Sequence, residues 1–230
     1  MSDPMNPVDP VNPVNPVNPV NPMNPMNSVG FDLDLTLADT RAGISATFDE
    51  VAVRTGVRID TAAVLSRLGP PLEWELAHWM PAEEVPAVAD LYRRLYASIA
   101  VPVTTLMPGA REAVLAVRRA GGRVIVVTAK NVRDATRTVE FLGLEVDEVA
   151  GSLFGTAKGT ALAAFGADAY VGDHVADVDA ARAGGAFSVA VATGPCSKGE
   201  LRDHGADVVL GDLTEFAEWF EGWRTIRVPA

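Results

Sequence analysis

Two aspartates, Asp32 and Asp34, follow a short apolar segment in the stretch SVGFDLDLTLADT, residues 28–40. If residues 29–33 form a β-strand, both carboxylates lie at its carboxyl end on the same face, because strand side chains alternate between faces. Carboxylates this close repel each other and raise each other's pKa unless a positive group lies between them. A metal ion accounts for the pair better than a structural purpose does.

Four more chemically capable residues occur where strands end or helices begin. Thr128 ends the run RVIVVT, Lys158 follows the glycine turn in LFGTAK, and Asp173 ends AYVGD with Asp177 four residues later. The carboxyl ends of parallel strands meet at one edge of a sheet, where ligands gather. We therefore expect carboxylates, a hydroxyl and an ammonium group to converge there.

The elements that must position these residues alternate along the chain. Short apolar runs, typical of buried strands, occupy residues 29–33, 123–128, 169–173, 188–192 and 207–210. Amphipathic segments between them have recognisable helix ends: Pro108 is predicted at a first helical position, and Gly121, Gly143 and Gly184 end three helices. The alternation predicts an α/β fold with a doubly wound parallel sheet.

Residues 40–101 interrupt the alternation with helical patterns and no convincing strand. This region is predicted to be an α-helical cap inserted after the first strand, placed to close on a ligand. A helical layer of the main core is the alternative. The spacing of Trp74, His78 and Trp79 could bury an apolar stripe, which predicts that they contribute to the core of the insert.

Composition excludes several classes of protein. The chain has 230 residues, 48% of them apolar, and a net charge of −11, which argues against a nucleic-acid-binding surface. The single cysteine, Cys196, forms no internal disulfide and suits a reducing cytoplasm. No apolar run is long enough to predict a membrane span. We therefore predict a cytoplasmic protein without a nucleic-acid or membrane partner.

A proline falls at every third position from Pro4 to Pro25. Proline tracts of this kind predict an extended, solvated tail over residues 1–27, and a ligand for a proline-recognising partner is the alternative. A further hypothesis is that translation starts at Met23 or Met26.

Four short motifs together resemble the haloacid dehalogenase (HAD) superfamily, in its phosphatase branch with a helical cap. DLDLT at residues 32–36 resembles the first motif, Thr128 the second, Lys158 the third and GDHVAD at residues 172–177 the fourth. Each motif alone is weak, but four in order at predicted strand ends or helix starts are specific. The resemblance implies a Rossmann-like core over 28–39 and 102–230 and a cap over 40–101. Leu35 departs from the family's usual glycine.

The resemblance also implies a nucleophile and a metal site. Asp32 would attack phosphorus and form an aspartyl-phosphate. Mg²⁺ would be held by the carboxylates of Asp32 and Asp173 and by the backbone carbonyl of Asp34. Asp177 would hold a metal-bound water or orient Lys158.

Phosphate binding and proton transfer are assigned in the same way. Thr128 and Lys158 would bind the non-bridging oxygens, with help from the backbone N–H groups of Leu33 and Ala129. Asp34 would protonate the leaving alkoxide and later deprotonate the attacking water.

Three residues are further candidates for substrate contact. Lys130 either faces the substrate, as a basic residue there does in the resembling phosphatases, or faces solvent at the start of a helix. Gly69 begins a loop that either meets the substrate or is a plain helix–helix turn. Arg41 is a candidate anion contact near the hinge, and His174 is predicted to be a solvent-facing loop residue.

These features predict a Mg²⁺-dependent phosphomonoester hydrolase acting on a small phosphorylated metabolite, in the phosphoglycolate phosphatase-like branch. A phosphosugar mutase of the same superfamily and a non-catalytic binding protein on the same fold are the alternatives. The sequence predicts no oligomeric state.

Overall fold

The computed structural model describes residues 28–227. The tail predicted over 1–27 and the alternative translation starts lie outside the described residues. The strands are β1 (Val29–Phe31), β2 (Ala38–Asp39), β3 (Thr105–Leu106), β4 (Val124–Val127), β5 (Glu148–Ala150), β6 (Ala169–Gly172), β7 (Phe187–Val191) and β8 (Val208–Leu210). The helices are α1 (Arg41–Thr55), α2 (Thr61–Leu65), α3 (Leu72–Leu76), α4 (Val85–Ile99), α5 (Ala110–Arg119), α6 (Val132–Phe141), α7 (Thr156–Phe165), α8 (Val175–Gly184), α9 (Lys198–Asp203) and α10 (Phe216–Arg227).

Six strands form one parallel sheet in the order β5-β4-β1-β6-β7-β8. The chain builds the sheet outward from β1 on one side through β4 and β5, then returns to build the other side from β6. A parallel sheet of this kind opens a crevice at the carboxyl ends of its strands where the order reverses, here beside β1. The predicted α/β class is confirmed.

Both faces of the sheet are covered by helices. On one face, Phe31 of β1 packs against Phe216 of α10 with ring centroids 5.4 Å apart, in a cluster that also includes α5. On the other face, Leu162 of α7 and Tyr170 of β6 belong to a second cluster with α8. Burial on both faces explains why β4 is apolar at every position.

Helices α1 to α4 form a unit with an apolar cluster of their own, which includes Phe48, Leu76 and Tyr96. The chain leaves the sheet domain through β2 and returns through β3, which pair antiparallel. The predicted helical insertion is confirmed. Its boundaries at residues 40 and 101 stay a prediction.

Several details differ from the prediction. The edge strand β5 and the β2–β3 pair were missed because their sequences, EVA, AD and TL, contain no continuous apolar run. Helix α5 begins at Ala110 after Gly109, so Pro108 precedes it, and α8 is ended by Gly185. Both of these glycines have left-handed backbone angles, which favour glycine.

The prediction for the aromatic residues of the insert was wrong in part. Trp79 packs against the apolar cluster of the cap, but Trp74 is 60% exposed and His78 is exposed. Helix α3 has only five residues, and Trp74 contacts Phe154 of the sheet domain edge-on at 5.6 Å. Within residues 28–227, no helix has the length and apolar character needed to span a membrane.

Candidate active site

The predicted site residues lie at the carboxyl ends of adjacent strands. Asp32 follows β1, Thr128 follows β4 and Asp173 follows β6, and these three strands are neighbours. Lys158 and Asp177 lie in the first turns of α7 and α8. All five side chains are buried, so the parallel topology brings them together beneath the surface.

Lys158 joins the two helix starts to β1. Its Nζ lies 2.7 Å from Asp177 Oδ1 and 3.1 Å from Asp32 Oδ1, and it donates a hydrogen bond of 2.9 Å to the hydroxyl of Tyr170. Tyr170 in turn donates to the carbonyl of Val127 at 2.7 Å. Burial lowers the pKa of Lys158, but Asp177 and Asp32 outweigh it and the net shift is upward. Lys158 is therefore a fixed ammonium group.

Asp32, Asp173 and Asp177 form a buried carboxylate cluster, in which one oxygen of each lies within 4.8 Å of the others. Burial raises the pKa of Asp32 to about 6, with Lys158 opposing the shift. Burial and the two neighbouring carboxylates raise the pKa of Asp173 well above its usual range. Thr36 donates to Asp173 Oδ1 at 3.0 Å and helps to fix its orientation.

The cluster fits a divalent cation. Three carboxylates share one ammonium group, so two negative charges stay uncompensated when all three are ionised. Within residues 28–227, buried Asp32 Oδ1 accepts no hydrogen bond, and its contact with Lys158 lacks hydrogen-bond geometry. Gly194 leaves room beside Asp173, because an added Cβ would fall 1.7 Å from Asp173 Oδ2. Carboxylate oxygens are ligands that Mg²⁺ prefers.

Asp34 has different partners from Asp32. Its side chain lies 3.1 Å from Lys130 Nζ and accepts a 2.6 Å hydrogen bond from Thr40 Oγ1. It is not part of the carboxylate cluster, and its backbone carbonyl as a metal ligand stays a prediction. The carboxylate is thereby held apart from the candidate metal site.

Lys130 does not face solvent, which removes one of its two interpretations. Its side chain is 9% exposed, and Nζ lies 4.4 Å from the ring centroid of Tyr96 in the cap. Burial lowers the pKa of Lys130, but the negative charge of Asp34 acts in the opposite direction and the net shift is upward. Lys130 thus links the cap, the second motif and Asp34.

Leu35 adopts a left-handed backbone conformation, which a glycine accommodates more easily. Leu35 has φ 59, its N–H donates to the carbonyl of Ala38 at 2.8 Å, and its carbonyl accepts from Thr193 Oγ1 at 2.6 Å. A left-handed conformation costs a non-glycine residue roughly 1–2 kcal/mol. The hydrogen bonds to Ala38 and Thr193 hold the turn in this conformation.

A cavity of about 230 Å³ lies between the cap and the sheet domain. Its floor includes Asp32, Asp34, Thr128, Ala129 and Lys130. These are the residues predicted for nucleophile, proton transfer and phosphate binding, and one space unites them.

Cap residues complete the cavity. Gly69 and its neighbours line it, whereas the side chain of Leu33 lies in the core of the sheet domain, so only its N–H stays a candidate contact. Arg41 does not line the cavity. Its guanidinium pairs with Asp39 at 2.6 Å and is 49% exposed, so the structure gives no support to an anion contact there.

His174 is not the solvent-facing residue that was predicted. Its Nδ1 accepts a 3.0 Å hydrogen bond from the N–H of Ala176 and caps α8. Its ring packs against Phe154, and a Cβ on Gly69 would lie 3.2 Å from it. Burial lowers the pKa of His174. The residue belongs to the contact between the cap and the sheet domain.

The sequence analysis assigned no role to several residues that hold the site: Thr36, Thr40, Tyr96, Tyr170 and Thr193. Thr36 ends the DLDLT motif, which is a usable signal. Thr193 contacts a residue 158 positions away, and Tyr170 contacts one 43 positions away. No local spacing rule reveals such pairs.

Comparison with known families agrees with this geometry. The chain matches the family described as haloacid dehalogenase-like hydrolase over residues 29–182. It belongs to this family. A second match, to the HAD-hydrolase-like family, covers residues 151–216. The predicted superfamily is confirmed, and no curated protein matches the chain.

Solved HAD-like structures share the fold at low identity. A predicted phosphatase from Clostridium acetobutylicum superposes with a TM-score of 0.74 at 21% identity, covering 86% of this chain and 100% of that one. A haloacid dehalogenase-like hydrolase from Streptococcus pneumoniae superposes with a TM-score of 0.74 at 22% identity, covering 85% of this chain and 98% of that one. For a predicted phosphoglycolate phosphatase from Haemophilus somnus the TM-score is 0.72 at 18% identity, with 86% of this chain and 99% of that one covered. These likenesses establish the fold.

Proposed function

We propose that this HAD-like hydrolase is a Mg²⁺-dependent phosphatase that hydrolyses a small phosphorylated metabolite through an aspartyl-phosphate on Asp32. One observation carries the proposal. Asp32 and Asp34 are one residue apart but have separate partners, Asp32 in the carboxylate cluster and Asp34 beside Lys130 and Thr40. One carboxylate is thus available to bond phosphorus while the other handles a proton at the same cavity.

In the first step a carboxylate oxygen of Asp32 forms a bond to phosphorus and the ester P–O bond breaks. Asp34 gives its proton to the departing alkoxide oxygen. In the second step water attacks the aspartyl-phosphate, Asp34 takes the proton from that water, and inorganic phosphate leaves Asp32. The hydrogen bond from Thr40 orients Asp34 for both transfers, and the ion pair with Lys130 holds its ionised form for the second.

The non-bridging oxygens need fixed donors because they carry negative charge throughout the transfer. Thr128 lines the cavity, and buried Lys158 lies 3.1 Å from Asp32. We assign both to binding of these oxygens, with the backbone N–H groups of Leu33 and Ala129. Asp177, at 2.7 Å, fixes the orientation of Lys158.

The carboxylates of Asp32 and Asp173 and the backbone carbonyl of Asp34 are the proposed holders of Mg²⁺, with Asp177 contributing through water. Bound there, the ion supplies positive charge that offsets the repulsion between the nucleophile and the phosphate dianion. Several HAD-like neighbours carry the description phosphatase or phosphoglycolate phosphatase. These neighbours support phosphomonoesters as the substrate class. The cytoplasmic location stays a prediction.

The proposal is tested by phosphate release from an aryl phosphate with Mg²⁺ and after addition of a chelator. We expect turnover that needs the ion. Asp34→Asn is expected to lower kcat by ~10²-fold or more, because both proton transfers lose their carboxylate.

Asp49→Asn, the same change at an exposed position of α1, serves as the control and is expected to match the unaltered protein. Unchanged turnover in Asp34→Asn would contradict the assigned role. Absence of turnover with every phosphoester tested would contradict the enzyme itself.

A further inference from the structure

The cap side of the cavity is mainly apolar and aromatic. Ile44, Phe48, Val64 and Tyr92 contribute to this wall, and the rings of Phe48 and Tyr92 lie 4.9 Å apart. Burial raises the pKa of Tyr92 well above its usual range, so the ring presents a neutral hydroxyl. A wall of this kind matches the apolar surface of a ligand and offers a charged one no compensation.

Two guanidinium groups also line the cap side, and both are neutralised. Arg67 forms two hydrogen bonds to Glu75, at 2.6 and 3.2 Å, and Glu75 also accepts one of 2.8 Å from the indole N–H of Trp79. Arg93 is paired with Glu73 and lies 3.7 Å from Asp90. Both glutamates line the cavity themselves.

The third cation of the cavity is engaged as well. Lys130 lies 3.1 Å from Asp34, the carboxylate assigned to proton transfer. Among the described residues that line the cavity, each lysine and arginine therefore has a carboxylate partner. A second anionic group on the substrate would have to compete with these carboxylates for a cation or rely on the uncharged groups of the wall, and either stabilises it less than a free cation would.

The cavity also limits the size of the substrate. Its volume of about 230 Å³ falls below the roughly 300–1,000 Å³ of pockets that hold drug-sized ligands. A phosphoryl group on the floor leaves room for one ring or a short chain.

We propose that the leaving group of the substrate is uncharged and mainly apolar, an aryl or short alkyl alcohol, and that a carboxylate-bearing leaving group such as glycolate is disfavoured. This inference rests on the proposed phosphatase function. It separates this chain from its fold neighbours that are described as phosphoglycolate phosphatases.

The test measures binding, because leaving-group acidity confounds a comparison of turnover rates. Phenylphosphonate, propylphosphonate and phosphonoacetate are not hydrolysed, and each has the phosphorus group in common. Calorimetric titration of the full chain with Mg²⁺ is expected to show both uncharged-tail ligands binding at least about tenfold more tightly than phosphonoacetate. Equal or tighter binding of phosphonoacetate would overturn the inference.

Paired variants connect the preference to the glutamates. The double variant Glu73→Gln and Glu75→Gln frees the guanidinium of Arg67 and leaves Arg93 only its longer contact with Asp90. It is expected to reduce the ratio of affinities at least about fivefold in favour of phosphonoacetate. The double variant Asp49→Asn and Glu50→Gln is the matched control: it removes the same two negative charges from the cap and frees Arg54, and none of these residues lines the cavity. The control is expected to leave the ratio unchanged, and an equal shift in both variants would refute the local explanation.

The two proposals fail differently. If none of the three phosphonates binds, the phosphate site is absent and the inference falls with the proposed function. If they bind in the expected order but phenyl phosphate is never hydrolysed, the cavity preference stands and the phosphatase proposal fails.

Discussion

Asp32 and Asp34 have the same side chain, lie one residue apart and occupy different environments. Alternation along a strand predicts that their carboxylates share a face, but β1 ends at Phe31 and the alternation does not continue through the turn. Asp32 joins Asp173 and Asp177, whereas Asp34 pairs with Lys130. Residue types and order predicted that a site exists here, and only the turn geometry separates the environments of the two carboxylates.

Lys130 and Arg41 show that the sequence also does not predict the surroundings of basic residues. Both occur near the start of a helix, where a basic residue is usually solvated. Lys130 is covered by Tyr96 from the cap, and Arg41 is held at the surface by Asp39. The difference depends on which residues of distant elements reach each side chain, and sequence spacing does not contain that information.

Burial of Asp32 makes the metal-free protein sensitive to pH. Burial raises the pKa of Asp32 from 3.8 to about 6, so between these values the folded state holds a proton that the unfolded state releases. Stability of the metal-free protein therefore falls as the pH rises from about 4 to 7. We expect Asp32→Asn, which removes the buried charge, to raise the free energy of unfolding by about 1–3 kcal/mol at pH 7.5 in chelator.

Urea denaturation across this pH range is the measurement. The advantage of the asparagine variant should shrink as the pH falls towards 4, and Mg²⁺ should stabilise the unaltered protein more than the variant. Asp49→Asn, at an exposed position, is expected to show neither effect. If Asp32→Asn were no more stable than the unaltered protein at pH 7.5, the buried charge of Asp32 would not lower the free energy of unfolding, and the prediction would be wrong.

At the scale of elements, the sequence predicted the strands with continuous apolar runs and the helices between them. Those elements are specified by burial on two faces and by glycines at helix ends. It missed β5 and the β2–β3 pair, whose sequences mix apolar with charged or polar residues. Such short strands form because a neighbouring segment of the folded chain supplies their hydrogen-bond partners. They therefore depend on tertiary structure and not on local sequence.

Close packing of α7 against α8 brings Lys158 to Asp177. Gly159 follows Lys158 directly, and a Cβ there would lie 2.7 Å from the Cβ of Ala183 and 2.8 Å from the backbone nitrogen of Gly184. Contacts this short leave no space for a methyl group, so an added one must push the two helices apart.

We expect Gly159→Ala to lower the free energy of unfolding by about 1–3 kcal/mol and to reduce kcat by ~10-fold or more, because Lys158 is displaced. Gly222→Ala in α10 is the matched control, since nothing lies within 4 Å of its added Cβ. That control should be stabilised by about 0.5–1 kcal/mol with unchanged activity. Thermal denaturation and phosphate release measure both, and an active, stable Gly159→Ala protein would contradict the packing argument.

At the scale of the whole molecule, the cap and the sheet domain meet through contacts between distant parts of the chain. Trp74 packs on Phe154, the Phe154 ring contacts His174, and Arg133 donates a 3.0 Å hydrogen bond to the carbonyl of Arg93. The sequence predicted an inserted cap from a change in periodicity. It could not predict where the cap rests, because that depends on surfaces that form only after both units fold.

Trp74 offers a way to test whether this contact holds the cavity closed. Its side chain is 60% exposed, so Trp74→Ala should change the free energy of unfolding little and move Tm by only about 1–2 °C.

An edge-on aromatic pair contributes about 0.5–1.5 kcal/mol, which corresponds to a population shift of roughly 2–12-fold away from the closed arrangement. We therefore expect kcat/KM to fall by up to that factor, measured by phosphate release, because the closed population falls by the full factor only where the open arrangement dominates. Val53→Ala, a truncation at a 78% exposed position of the same cap, should leave kcat/KM unchanged. Equal activities in the two variants would mean that the cap is held over Asp32 by contacts other than this aromatic pair.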